Sequence, residues 1–343
     1  MLSKGVFLAV TVAVGALFTA FQVPAGWLLG SLLSGMVCTL WIKKIMLPDR
    51  LFKWTLAVIG GNIGFMLRPE QFLQYHSLLG PFVVTLVLTL CGGILLGKFL
   101  KRFSNVNHNT AFFCCMPGGA SEVIALSKDY GADQRIVAAF HTTRITFFVF
   151  VIPLFVGLNV TGRTGLGTMF LPLDETLLAL GALMAVVVLT IFLSKHVTFP
   201  GASLFFAIGL GFLVHTLFPQ IILPGYVQGV AQGVMGAVIG ARFDRETFGE
   251  LKRMGFISAI TLLLYFIMSL GLAGLFTWMT PLEWYMSLLS IVPAGAAEMA
   301  STATALQMEP AMVATLQMAR VLALFLCLPF LIKWFSKQDN NGV

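Results

Sequence analysis

The chain has 343 residues, of which 58% are hydrophobic and only 10% charged, with a formal net charge of +7 and a mean hydropathy of +0.93. A soluble globular chain carries roughly a quarter charged residues and about half apolar ones, so this balance excludes most soluble enzymes and DNA-binding modules. With about 30 Å of hydrocarbon and ~20 residues per helical crossing, the chain supplies roughly ten to twelve spans and leaves no soluble domain of useful size.

Apolar runs bounded by charge, Gly or Pro predict segments near 5–22, 27–46, 54–67, 78–100, 109–127 and 136–157. A second set follows near 175–195, 203–219, 226–242, 255–278, 284–305 and 310–333. The five cysteines lie in apolar stretches without a C-x-x-C spacing and read as small buried hydrophobes. Shifting the chain by 176 residues without gaps aligns Pro24 with Pro200, Pro48 with Pro224, Gly60 with Gly236, Gly64 with Gly240 and Phe72 with Phe248. The densest stretch aligns Pro117, Gly119, Glu122, Arg144 and Pro153 with Pro293, Gly295, Glu298, Arg320 and Pro329. Chance matches between apolar runs are common, but Pro, Glu and Arg matches at one constant offset are not. The chain therefore reads as a duplication, with repeats at 1–167 and 168–343. The first segment, which has the form of a signal peptide, then belongs to the fold.

Lys and Arg in the loops orient the segments. The loop after the second segment holds Lys43, Lys44, Arg50 and Lys53, while its counterpart at 219–227 holds none. The loop after the third holds only Arg68, while its counterpart holds Arg242, Arg245, Lys252 and Arg253. Equivalent loops thus face opposite sides, which demands an odd number of crossings per repeat although each shows six apolar segments. The fifth is predicted to turn back, because Met116-Pro117-Gly118-Gly119 and Val292-Pro293-Ala294-Gly295 interrupt it. Each limb, ~12 Å of helix, is too short for ~30 Å of hydrocarbon. The expected fold is all-α and polytopic: two inverted repeats, each of five transmembrane helices plus one re-entrant or broken Pro-Gly segment. All remaining Lys and Arg, and both termini, come out cytoplasmic, with only Arg68 and Arg163 outside and Arg144 and Arg320 within the membrane.

Paired breaks at equivalent positions of inverted repeats are the sequence sign of a transporter's midplane site. The residues expected to bind substrate or a coupling ion are Pro117, Gly118, Gly119, Ser121, Glu122 and Arg144, with Pro293, Gly295, Glu298 and Arg320. Within each repeat the acid and the arginine are either a structural ion pair or divide the work, arginine holding an anion and glutamate a proton or cation. Asn62, beside three glycines, and His141, three residues before Arg144, are further candidates, the histidine as a proton relay. The first repeat carries Ser121, Lys128, Asp129 and His141 where the second has Ala297, Thr304, Ala305 and Gln317, so coupling chemistry is expected there first. The stripe Gly229, Gly233, Gly236 and Gly240 reads as a close-packing face. No His spacing suits a metal and no P-loop is present.

Pro117-Gly118-Gly119-Ala120-Ser121-Glu122, then Tyr130-Gly131-Ala132-Asp133 and Arg144 in order, resemble the bacterial AbrB family of membrane proteins, which is recognised by an internal duplication. The second repeat departs from this pattern, with Pro293-Ala294-Gly295 and Leu306-Gln307-Met308-Glu309. Family members are labelled as ammonia monooxygenases or as regulators of gene expression. A copper monooxygenase needs clustered His and carboxylate ligands, which this sequence lacks, and no recognition helix or basic arm is present to read DNA. The expected protein is not an enzyme. It is a secondary transporter of a small organic anion or metabolite in the bacterial inner (plasma) membrane, coupled to a proton or Na⁺ and holding no other cofactor. The alternative is an AbrB-type membrane regulator that acts indirectly by ligand sensing or partner binding. The expected partners are a small-molecule solute and the lipid bilayer, not nucleic acid; homo-oligomerisation is left open.

Overall fold

A computed structural model describes residues 4–42, 44–68, 76–159, 172–197, 199–219, 221 and 223–339. Lys43, Phe72, Arg163 and the expected repeat boundary at 167/168 lie outside the described residues. Among those residues the protein is all-helical. The first half holds α1 (Lys4–Ala20), α2 (Gly26–Val37, continued by a π-helical turn at Cys38–Ile42), α3 (Asp49–Met66) and α4 (Leu79–Phe103). It goes on with α5 (His108–Cys115), α6 (Ala120–Asp129) and α7 (Gln134–Asn159). The second half holds α8 (Leu173–His196), α9 (Ala202–Leu217), α10 (Gly225–Arg242), α11 (Arg245–Met254) and α12 (Phe256–Met279). It ends with α13 (Trp284–Ile291), α14 (Ala296–Ala305) and α15 (Pro310–Asp339). Five of these, α4, α7, α8, α12 and α15, contain stretches long and apolar enough to cross a membrane; α1, α9 and the run Gly26–Ile42 are apolar but shorter. The sequence segment at 27–46 is shorter as a helix than expected, and the amphipathic α11 has no counterpart among the predicted segments.

Local signals set the helix ends. Asn107 caps α5 by accepting a hydrogen bond from Thr110 N at 2.7 Å, and Asp244 caps α11 through Thr247 N at 2.9 Å. Pro48 and Pro224 stand immediately before α3 and α10 in the same extended conformation, where a missing N–H costs nothing. The helix pairs α3/α10, α5/α13 and α6/α14 have bounds separated by 176 residues at both ends. Left-handed backbone recurs at the same spacing, at Ala25 and Gly201 and again at Gly131 and Gln307.

Two helix pairs pack most extensively, α2 with α10 and α3 with α9. Glycines bring their backbones together: a Cβ at Gly236 or Gly240 would collide with the carbonyls of Leu28 or Leu32, and one at Gly60 or Gly64 with those of Leu204 or Ile208. The stripe at 229–240 is therefore the packing face its spacing suggested. Within each pair the helices run parallel, since Gly229, Gly233 and Gly240 meet Trp27, Ser31 and Met36 in ascending order, as Gly60 and Gly64 meet Leu204 and Ile208. Between α4 and α12, Gly92 lies against Met268, the residue 176 positions further on. One large core joins the two halves, with smaller clusters around α3–α8–α9 and around Phe7 and Ala237.

Candidate functional site

Both Pro-Gly interruptions break the helix. The chain between α5 and α6 runs from Met116 to Gly119, and that between α13 and α14 from Val292 to Gly295. The first unit folds back on itself: Asn107 Nδ2 donates to Gly131 O at 3.1 Å, Asn109 Nδ2 to Tyr130 O at 2.8 Å, and Asp133 N to Thr110 Oγ1 at 2.8 Å. The start of α5 and the end of α6 therefore lie side by side, as in a hairpin.

A helix end leaves carbonyls without intrahelical partners, and away from water each such group costs several kcal/mol. Side chains from elsewhere satisfy them here. Arg144 Nη1 donates to Met116 O at 3.2 Å, Tyr265 Oη to Cys115 O at 3.3 Å, and His141 Nε2 bonds Phe113 O at 2.9 Å. In the second half Arg320 Nη1 donates to Ile291 O at 2.9 Å and Val292 O at 2.7 Å. Gln317 Nε2 donates to Leu289 O at 2.6 Å and Val292 O at 2.9 Å. The guanidinium of Arg144 also lies 5.2 Å from the Tyr265 ring centroid, a cation–π distance. Both arginines are buried, with 2% and 6% of their surface exposed, and Arg144 keeps one N–H, at Nε, without a partner.

His141 and Gln317 perform one task. Each gives a hydrogen to a carbonyl of the short helix and offers an acceptor to the arginine three residues on: His141 Nδ1 to Arg144 Nη2 at 3.1 Å, Gln317 Oε1 to Arg320 Nη2 at 2.6 Å. That pattern fixes the neutral Nε2–H tautomer of His141 and leaves neither ring nitrogen free to relay a proton. The sequence marked positions 141 and 317 as a difference between the repeats, although an imidazole and an amide present the same donor and acceptor here.

The expected acid–base pairs do not form. Among the described residues the ion pairs are Lys44–Asp244, Lys44–Glu246 and Arg253–Glu250, and none joins Glu122 to Arg144 or Glu298 to Arg320. The arginines are held by carbonyls, whereas each glutamate curls back over the glycine at the start of its own helix, so that a Cβ at Gly119 or Gly295 would collide with Glu122 Oε2 or Glu298 Oε2. A carboxylate there meets the positive end of the helix dipole. Gly295 has a φ of 108°, which only glycine adopts without strain.

The surroundings of the two breaks differ. Pro117, Gly118, Gly119 and Glu122 share a cavity of about 10 Å³ with Pro200, Leu324 and Phe325 of the other half, too small for a solute. Ser121 is exposed and Glu122 half-buried, whereas Glu298 is 7% exposed and Pro293 is buried. Asn62 is buried in the middle of α3. Two larger cavities, of about 320 and 480 Å³, share Thr142 and Asp244; Lys44 and Arg242 line the first, Arg135, Glu246 and Glu250 the second. Between the 44–48 loop and α11, Lys44 Nζ contacts Asp244 at 2.7 Å and Glu246 at 2.8 Å. Burial opposes the charged form of Asp244, yet hydrogen bonds from Lys44 and Thr247 outweigh it and hold the carboxyl below its usual value. Those two acids in turn raise the Lys44 ammonium. The sequence reading missed Tyr265 and Gln232, which reach the breaks from other helices. No spacing within a segment reveals such contacts.

This architecture defines a polytopic, all-helical membrane protein with two interrupted short-helix units. Residues 5–336 match the family described as transition state regulatory protein AbrB, and the chain belongs to that family. It is 26% identical over 329 residues to the protein of Escherichia coli (strain K12) named "Putative regulator AbrB", covering 93% of this chain and 92% of that one. It is 25% identical to "Uncharacterized protein YhjN" of Bacillus subtilis (strain 168), covering 94% and 90%.

Proposed function

We propose that the chain is a secondary transporter of a small organic anion or related metabolite, working by alternating access between two inverted repeats with ten crossings and two re-entrant hairpins. The observation that carries this reading is the pair of helix breaks, each with its carbonyls gripped by a buried arginine and its following helix capped by a glutamate. Inversion is supported by packing. α2 runs parallel to α10, which stands 176 residues after α3, and consecutive crossings α2 and α3 run oppositely, so α3 and α10 oppose each other. Lys44 reaches Asp244 and Glu246, which joins the loop after α2 to the loop after α10, as opposite orientation of the repeats requires. The Lys- and Arg-rich loops then share the cytoplasmic face, and the two larger cavities open toward it.

Glu122 and Glu298 occupy the ends of α6 and α14 where a substrate carboxylate would be most favoured. Exchange of the glutamate for a substrate anion, with uptake of a proton or cation, gives a route to coupling, and the spare Nε–H of Arg144 offers a further donor. The test is uptake into proteoliposomes of a panel of carboxylates and other metabolites under imposed H⁺ and Na⁺ gradients. Glu122→Gln and Arg144→Ala are expected to abolish flux while the protein still inserts. Absence of flux across the panel, together with absence of ligand stabilisation, overturns the proposal.

The name of the Escherichia coli relative favours a second reading, a membrane regulator signalling through its cytoplasmic loops. It predicts a protein partner retained by residues 43–53 or 242–253. Charge reversal in those loops that removes the partner and leaves flux unchanged supports sensing.

A further inference from the structure

Four buried side-chain oxygens of the second half have no hydrogen-bond partner: Gln232 Oε1, Ser287 Oγ, Ser290 Oγ and Ser301 Oγ. An unsatisfied buried polar atom is costly. The residues 176 positions earlier are Leu56, Ala111, Cys114 and Ala125, so the first half fills the same places without hydroxyls or amides. Two of the four are tied together, since Gln232 Nε2 donates to the backbone carbonyl of Ser301 at 3.0 Å while Gln232 Oε1 and Ser301 Oγ stay unmatched. Each of these residues is 1% exposed. Glu298 lies one helical turn before Ser301 on the same face of α14, 7% exposed and unpaired with any cation among the described ion pairs. Ser287 and Ser290 stand at i, i+3 on α13 of the same unit.

We infer that this oxygen-only pocket between α10 and α14 binds a monovalent cation of the size of Na⁺, with Gln232 Oε1 and Ser301 Oγ as ligands and Glu298 as its countercharge. Oxygen donors suit a hard cation, and a cation supplies what four unmatched acceptors lack. A single bound anion does not, because a carboxylate already stands beside the pocket. The inference rests on the transport reading only for the role of the ion, which is to couple; binding itself does not depend on flux. It places the coupling ion in the second repeat alone, since the first lacks the ligands, and so departs from the expectation that coupling chemistry sits at Ser121, Asp129 and His141.

The test is ²²Na⁺ binding to purified protein, with unfolding midpoints in NaCl and in choline chloride at equal ionic strength. Saturable binding is expected, together with a rise in the midpoint of roughly 2–4 °C in NaCl. Gln232→Leu and Ser301→Ala, which install the first-half residues and therefore suit the local fold, are expected to abolish both effects. Ser121→Ala is expected to leave both intact. Equal midpoints in the two salts with no saturable ²²Na⁺ binding overturn the site, as does binding that survives Gln232→Leu and Ser301→Ala together. Because the readout is binding, Na⁺ bound without any solute flux upholds the site and removes transport, whereas flux without bound Na⁺ does the reverse.

Discussion

The units 108–129 and 284–305 share one backbone plan and differ in where they sit. In α6 only Val123 and Ser127 are buried, while Ser121, Lys128 and Asp129 are exposed. In α14 every residue from Ala297 to Ala305 is buried, Glu298, Ser301, Thr302 and Thr304 included. The plan of break, arginine and returning glutamate is therefore geometry common to both halves. The chemical setting of each glutamate is supplied by the helices packed around it.

Removing the arginines separates the halves most sharply. Arg320 satisfies two carbonyls and Gln317, whereas Arg144 satisfies one carbonyl and His141. At about 1.5–3 kcal/mol for each hydrogen bond to a charged group, Arg320→Ala is expected to prevent recovery of folded protein. Arg144→Ala is expected to cost about 2 kcal/mol and leave a monodisperse protein without flux. Size-exclusion profiles and unfolding midpoints in detergent distinguish the two; equal behaviour removes the asymmetry.

The glycines that open α6 and α14 give a smaller contrast. Gly295→Ala must adopt a φ of 108° and also displace Glu298, a strain of about 1–3 kcal/mol. Gly119, at a φ of −63°, accepts alanine once the flexible Glu122 carboxylate swings aside. Unfolding midpoints should fall clearly in Gly295→Ala and by less than about 1 kcal/mol equivalent in Gly119→Ala. Smaller still is His141→Gln, because Gln317 already fulfils that role; flux and its pH profile should stay those of the unsubstituted protein. A shifted pH profile means that His141 titrates during transport.

Much of this was legible in the sequence because Pro, Gly, Glu and Arg resist chance matching. The matches at Pro117/Pro293 and Glu122/Glu298 locate both breaks, and Gly229 to Gly240 mark a packing face. The partners were not legible. Arg144 and Glu122 look like a pair when only charge is read, but the carbonyls freed by Pro117 are the stronger claim on the guanidinium, and backbone groups leave no mark in a sequence. Gln232 is invisible for another reason: it acts across helices, and its counterpart is Leu56. Exposed Ser121 and Asp129 drew attention to the wrong half, since polarity in one dimension does not show which face is buried.

The smallest effect belongs to the contact of Lys44 with Asp244 and Glu246. Lys44 is 43% exposed, and an exposed ion pair contributes about 0–1 kcal/mol. The Asp244 carboxyl lies below its model value of 3.8 in the folded protein. Its contribution is therefore present above the unfolded value and lost only as pH falls through the lower, folded one. Lys44 is raised above 10.5, so its contribution is present below that value and lost as pH rises past the folded one. Across neutral pH the contact stays closed, and a proton gradient between pH 5 and 8 cannot open it. Asp244→Asn is expected to lower the unfolding midpoint by at most a few degrees at pH 7 and to make a cysteine placed at Met46 react faster with a water-soluble maleimide. If the labelling rate instead changes between pH 5 and 8 in the otherwise unsubstituted protein, the loop is governed by a titrating group other than these two.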